Sequence, residues 1–306
     1  MTTFLQIDVP ALLGAMLAAL VCALVGNLLV LSRRAMFSDA LSHVMLPGVL
    51  VAFLLTGSTA APAVLAGGVV AAFVAAVLVH VLVRYGRVDP SAALGIVFTT
   101  LFAAGIVLME QSGAARTSFD VHHVLFGNLE TLVWAAATGP ASLVDPQALA
   151  SMPASIGHMA LSLAIVAAVL YVLRAQFAVV AFDPVFAAAS GLRVRLLDLA
   201  LLAATALATV AAFEAVGAIL ALAMIVCPAA TARLLTRRLD SQVRWSLAIA
   251  AASVCVGYAA AVLGPPALGF PIALNAAGTI GAVSGVFFIV AAALQRPRSA
   301  VAGGKP

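Results

Sequence analysis

Apolar residues run in long blocks along this chain, and short clusters of Arg, Pro and Gly interrupt them. Nine blocks are long enough to be read as membrane spans: 11–31, 38–56, 62–83, 91–109, 155–173, 196–213, 215–232, 245–263 and 272–294. A helix crossing the hydrocarbon needs about 20 mostly apolar residues. Strands of a membrane barrel would alternate apolar with polar positions. These blocks do not alternate, and they are too long and too rich in Ala and Leu for such strands. Helices are the other way to satisfy a backbone in lipid. Ala and Gly recur throughout and let helices approach closely. The pattern therefore predicts an all-α polytopic bundle, with a single membrane domain over 1–295 and a short cytoplasmic tail over 296–306.

Two stretches depart from simple alternation of span and loop. Residues 110–154 carry Arg116, Asp120, His122, His123, Glu130 and Asp145, too many polar groups for another span. VLFGNLETLVWAAATG within it is short and amphipathic, and is expected to be an outward-facing or partly re-entrant helix followed by a loop. Residues 196–232 are almost continuously apolar and are broken around Phe213-Glu214-Ala215-Val216-Gly217. Two spans joined by a tight outer turn fit this stretch better than one very long helix, because Arg195 and Arg233 then fall on one side.

Composition sharpens this picture. The 306 residues are 65% hydrophobic and 8% charged, against about one quarter charged in a soluble domain. Mean hydropathy is +1.21. A soluble enzyme, a nucleic-acid binder and a disordered chain are all excluded. With the N-terminus outside, fourteen of the fifteen basic residues lie in inside segments and only Arg116 lies outside. The positive-inside rule thus selects an odd number of spans and a cytoplasmic C-terminus. The net charge of +4 then reports orientation rather than an acidic partner. Cys22, Cys227 and Cys255 lie singly in apolar runs, which argues against a disulfide framework or a structural zinc site. The first ten residues contain no basic residue, so the first span is expected to be retained rather than cleaved as a signal peptide.

Because charges are scarce, each one inside a span is informative. The second span opens SDALSHVMLPG, and Asp39 and His43 stand four apart, on one helix face. A carboxylate and an imidazole suit a divalent transition metal. The competing reading is a helix cap at Ser38 and Asp39 with His43 held in the core. Pro47 and Gly48 should loosen the helix just beyond. Glu110 and Glu214 lie at outer ends and could attract cations. Glu110 reads better as an interface marker, and the role of Glu214 is open. His80 reads as structural, the His122–His123 pair as solvated, and His158 has no evident partner. Pro228 can free a carbonyl and hinge its span, and Cys227 beside it reads as a small apolar residue.

GNLLVLSRRAMFSDALSHVMLPGVLVAFLLTG resembles the signature of the permease subunits of ABC importers for zinc, manganese or iron. FDPVFAAASGLRVRLLDLALL at 182–202, EAVGAILALAMIVCPAATARLLTRRL at 214–239 and FGN at 126–128 agree with it, in the family's order. The resemblance implies a type II importer-like, inner-membrane homodimer. It implies a cytoplasmic ABC ATPase subunit and an extracytoplasmic metal-binding protein as partners, with no nucleic acid. Asp39 and His43 match the family's metal-binding Asp and His, with Glu214 a weaker candidate. No cofactor is expected to be permanently bound; the metal ion (Zn, Mn or Fe) is cargo. The loop at about 180–195 is implied to hold the ATPase-coupling helix, carried by Asp183, Pro184, Phe186, Gly191 and Leu192. The chain has no GxxxxGK[ST] phosphate loop, so ATP hydrolysis belongs to the partner. A proton-coupled carrier using Asp39, His43 and Glu214 as a relay, and a non-transporting scaffold, are the alternatives.

Overall fold

The computed structural model describes residues 4–57, 61–112, 129, 132–137, 139, 142, 145, 148–149, 151–267, 269 and 274–302. Within these, the side chains of 36, 38, 39, 41, 42, 46, 61, 62, 64, 65, 214 and 296–302 are not described. After a π-helical turn at Phe4–Asp8, ten helices follow among the described residues. They are α1 (Val9–Leu31), α2 (Met36–Thr56), α3 (Ala61–Arg84), α4 (Pro90–Ser112), α5 (Ala154–Val172), α6 (Arg174–Phe182), α7 (Pro184–Ala189), α8 (Val194–Leu235), α9 (Leu239–Ala267) and α10 (Ala276–Ala302). No strand occurs among the described residues. Eight helical segments are long and apolar enough to cross a membrane, and a shorter apolar segment lies in α2 at His43–Thr56. The bundle expected from the sequence is therefore present. α10 extends to Ala302, into the stretch expected as a short tail.

α1 is apolar on all sides, and such a helix belongs in the interior. Ala15, Ala19, Val21, Cys22, Ala23 and Val25 are fully buried. Its main neighbours are α8, α9 and α5. Gly26 of α1 lies directly against the Ile225 carbonyl of α8, where no side chain could fit. Gly48 and Gly67 make a similar backbone approach between α2 and α3. The outer faces of α3, α4 and α10 instead expose Val70, Phe73, Val107, Ile289 and Leu294. In a bilayer these meet acyl chains, at no cost to the fold.

Several hydroxyls inside the bundle have local partners. Thr205, Thr209, Thr231 and Ser253 donate to the carbonyls of Leu201, Thr205, Cys227 and Ile249, one turn back. Such bonds keep hydroxyls satisfied in lipid. Asn27 donates to Ala23 O at 2.6 Å and to Ser246 Oγ at 3.0 Å, and so ties α1 to α9.

α8 has 42 residues. As a straight helix it would measure about 63 Å, twice the hydrocarbon thickness. It is not straight, because Gly217 has φ 77° and ψ 172°, a region essentially restricted to glycine. Asp198 near its start bonds Arg34, just after α1. Its other end leads through a three-residue turn to α9, whose Gln242 reaches the Asn27 carbonyl of α1. Both ends of α8 therefore lie beside the same end of α1, and the two halves cross the bundle in opposite directions. This is the pair of spans predicted for 196–232. Pro228 stays within the second half without a break there, so the backbone discontinuity is at Gly217 rather than at the proline.

The segment VLFGNLETLVWAAATG is only partly described, and FGN at 126–128 lies outside the described residues. Leu132–Ala137 is irregular, with a turn at Ala135 and Ala136, rather than helical, which corrects the expectation of a helix at that point. The physical reason is a sequestered tryptophan. Trp134 is fully buried with Leu5, Ala137 and Ala148. Its Nε1 donates to Ala148 O at 2.8 Å, and its backbone N–H donates to Gln6 O at 2.8 Å. This non-helical plug closes the bundle at the end opposite Arg34, where Tyr258 also donates to Asp8 Oδ1 at 2.6 Å.

The α1–α8 seam gives a first prediction. Gly26→Leu should lower the thermal stability of the detergent-purified protein by about 1–3 kcal/mol, or prevent its folding. Gly95→Ala, where an added methyl group would enter open space, should leave it unchanged. Size-exclusion profiles and thermal melts of the two variants check this.

Candidate metal pathway and loop helix

α2 carries the SDALSHVMLPG segment, and its register puts positions 39 and 43 on one face. The Asp39 side chain lies outside the described residues, so the structure places its backbone on α2 and no more. His43 is half-buried. Its ring stacks on Phe98 at 5.3 Å between centroids, with the planes 19° apart. It also meets Phe102 edge-on at 5.2 Å and 74°. Phe98 and Phe102 are one turn apart on α4, so α4 holds the imidazole from two sides. Face contact with Phe98 fixes the ring plane.

Pro47 sits inside α2, four residues after His43. It lacks the N–H that would continue the helix ladder to the His43 carbonyl. Gly105 of α4 faces the Pro47 ring so closely that an added methyl group would crowd it. A proline and a glycine thus bring α4 close just past the histidine. Val44, Ala75 and Val97 fill the space between α2, α3 and α4. The phenyl clamp from α4 was not foreseen in the sequence. The only signal was Phe98 and Phe102 at helical spacing, which resembles any lipid-facing stripe.

The other candidates are spread out. Glu214 belongs to α8, three residues before Gly217, and its side chain is outside the described residues. Glu110 is exposed at the end of α4 and His80 is exposed on α3. His158 is half-buried on α5. His122 and His123 lie outside the described residues. Cys22 is buried, Cys227 half-buried and Cys255 exposed. Among the described residues, no three His, Cys, Asp or Glu side chains gather into one metal-binding group.

At the Arg34 end of the bundle, α6 and α7 connect α5 to α8. Asp183 caps α7: its Oδ1 accepts from Val185 N at 3.0 Å and from Phe186 N at 2.9 Å. Pro184 occupies the first helical position, where its missing N–H is harmless. The helix stops in a Schellman turn. Leu192 N donates to Ala187 O and Gly191 N to Ala188 O, both at 3.1 Å, with Gly191 at φ 82°. The boundaries match those expected from the sequence. Ala187 is fully buried, whereas Val185 and Phe186 are 79% and 60% exposed. The helix is therefore anchored by one face and presents bulky apolar side chains on the other.

α1 ends in the same type of turn. Arg34 N donates to Leu29 O at 2.8 Å and Arg33 N to Val30 O at 3.2 Å, with Arg33 itself at φ 58°. A non-glycine residue in this conformation is uncommon and mildly strained. The turn directs Arg34 toward α8, where Nη1 and Nη2 donate to Asp198 Oδ1 and Oδ2 at 2.9 and 3.4 Å. Asp198 was not singled out in the sequence. An acid just inside an apolar span was the available signal, but its partner is 164 positions away.

Ten helices among the described residues, two opposed spans folded at Gly217 and a loop helix with exposed apolar residues define a polytopic all-α membrane protein. It is a transport permease, not an enzyme. The chain belongs to the ABC 3 transport family, whose model matches residues 4–136 and 147–294. It is similar to the "Manganese transport system membrane protein MntD" of Bacillus subtilis (strain 168), with 36% identity over 78% of this chain and 77% of that protein. It is also similar to a Haemophilus influenzae Rd protein named "Probable iron transport system membrane protein", with 28% identity over 94% of this chain and 93% of that one. Among solved structures it matches "PsaBC from Streptococcus pneumoniae in complex with Fab", with a TM-score of 0.72 and 26% identity over 92% of this chain and 89% of that chain.

The Asp183 cap yields a direct test. Asp183→Ala should destabilise α7 by about 0.5–2 kcal/mol. Hydrogen exchange at Val185 and Phe186 should accelerate, and Asp183→Asn should keep most of the protection. Unchanged exchange in Asp183→Ala would show that the cap does not hold the helix.

Proposed function

We propose that this chain is the membrane permease of an ABC importer that brings a divalent transition metal into the cytoplasm, with manganese as the favoured cargo and iron as the second choice. The family match supports the ABC permease role, and the names of the relatives support manganese or iron. Zinc has no such support from these relatives. The observation that carries the site is His43, held by two phenyl rings within a helix that also bears Asp39 one turn away. Ionisable residues in spans usually mark an ion pathway. One carboxylate and one imidazole form an incomplete ligand set, suited to a site that must release its ion. A second copy of the chain would complete a homodimeric pathway.

The N-terminus is placed outside and the Arg34 end in the cytoplasm, by the arginine distribution. α7 is then cytoplasmic, and Val185 and Phe186 are the knobs that enter a cleft of the ATPase subunit. An extracytoplasmic metal-binding protein delivers the ion at the Trp134 end of an inner-membrane permease. ATP binding and hydrolysis in the partner alternate access to the α2 site. Asp39 and His43 hold the ion during the switch, and Glu214, close to the Gly217 fold, is the lower-ranked further ligand.

The test is manganese uptake by proteoliposomes carrying the permease–ATPase complex. Uptake should require ATP and not an imposed proton gradient. Asp39→Ala and His43→Ala should each reduce it by about 10-fold or more while the ATPase still copurifies. Phe186→Asp should instead release the ATPase. Normal uptake in both Ala variants would refute the metal site, and uptake driven by a proton gradient alone would favour a secondary carrier.

A further inference from the structure

We propose that the Arg34–Asp198 ion pair is the strut that carries movement of the α7 coupling helix to α2, the helix bearing Asp39 and His43. This rests on the reading of α7 as the coupling helix. The argument is one of connection and rigidity.

From α7 the path to Asp198 is short and bonded at every step. The Schellman turn locks Leu192 and Gly191 to the last turn of α7. Leu196 N and Leu197 N both donate to Arg193 O, so α8 starts at once, and Asp198 lies in its opening turns. Nothing between α7 and Asp198 is long enough to absorb a displacement.

The path from Arg34 to α2 is equally short. Arg34 N is fixed to Leu29 O, and Phe37 N donates to Arg34 O at 2.9 Å, so Arg34 is tied both to the end of α1 and to the start of α2. Asp39 and His43 follow at five and nine positions. Arg33 holds a strained left-handed conformation, which keeps this connection tight where a glycine would loosen it.

The two rigid pieces meet in a two-point bond, with Nη1 to Oδ1 at 2.9 Å and Nη2 to Oδ2 at 3.4 Å. A bidentate guanidinium–carboxylate pair fixes orientation as well as distance. Its side chains are 50% and 30% exposed, and exposed pairs add little to stability. Its value is geometric. A thrust on α7 moves the foot of α8, and the pair moves the foot of α2 with it.

Arg34 and Asp198 are therefore positioning residues, and the test must separate coupling from folding and assembly. The permease–ATPase complex in proteoliposomes would be assayed for copurification, ATP hydrolysis and manganese moved per ATP. Asp198→Asn and Arg34→Gln should copurify with the ATPase and hydrolyse ATP within about twofold of the parent, yet move about fivefold less manganese per ATP. The charge-reversed double variant Arg34→Asp/Asp198→Arg should recover much of the loss, which independent roles of the two side chains would not predict. Raising ionic strength to ~1 M, where the Debye length is about 3 Å, should lower coupling in the parent and not in the single variants. Unchanged manganese per ATP in the single variants would overturn the proposal, as would loss of the ATPase from them or a double variant no better than either. Phe186→Asp tests the underlying reading separately: if it keeps both the ATPase and normal coupling, α7 is not the coupling helix, whatever the ion pair does.

Discussion

Lipid is a solvent that offers no hydrogen bonds, and this constraint shapes the whole molecule. Every backbone group must be satisfied inside the chain, so the described spans are helices. Hydroxyls within them turn back onto carbonyls one turn away, as Thr205 and Thr209 do. Helices cannot rely on expelling water from one another, so they depend on close packing. Gly26 against the Ile225 carbonyl and Gly48 against Gly67 are the closest expressions of that need. With only 8% charged residues, the few charges near spans are conspicuous, and Arg34 and Asp198 find each other.

Specific contacts fall at two levels of the bundle. Within α2, an aromatic clamp from α4 sets the plane of the His43 ring, and Pro47 with Gly105 brings the two helices together just beyond it. At the Arg34 end, two Schellman turns of the same design stop α1 and α7 and place Arg34 and the start of α8 in register. The opposite end is closed by a different device, a buried tryptophan bonded to the N-terminal turn. Among the described residues the two ends therefore differ, one carrying bonded turns with an ion pair and the other a buried tryptophan held to the N-terminal turn.

Sequence carried the architecture a long way. Runs of about 20 apolar residues located the spans, and the break near Gly217 located the fold of α8, because only glycine adopts that backbone readily. Asp183, Pro184 and Gly191 marked both ends of α7, since capping chemistry is local. What the sequence concealed is non-local. Phe98 and Phe102 have the spacing of a lipid-facing stripe and become a clamp only when α4 lies on α2. Asp198 needs a partner 164 residues away. Trp134 sits in a stretch with amphipathic helical character, yet its burial against Leu5 and Ala148 and its bond to the Ala148 carbonyl hold Leu132–Ala137 out of a helix. The Asp39–His43 pairing was legible as helical spacing, while its role came from resemblance rather than from periodicity.

In the proposed function, His43 and Asp39 of α2 hold a manganese ion inside the membrane. Pulsed electron paramagnetic resonance of Mn(II) bound to the purified permease–ATPase complex reads that ligation without relying on transport. A nitrogen-14 coupling from a ligating imidazole should be present and should disappear in His43→Ala. Bound manganese with no nitrogen coupling, or with one that survives the loss of His43, would overturn the site.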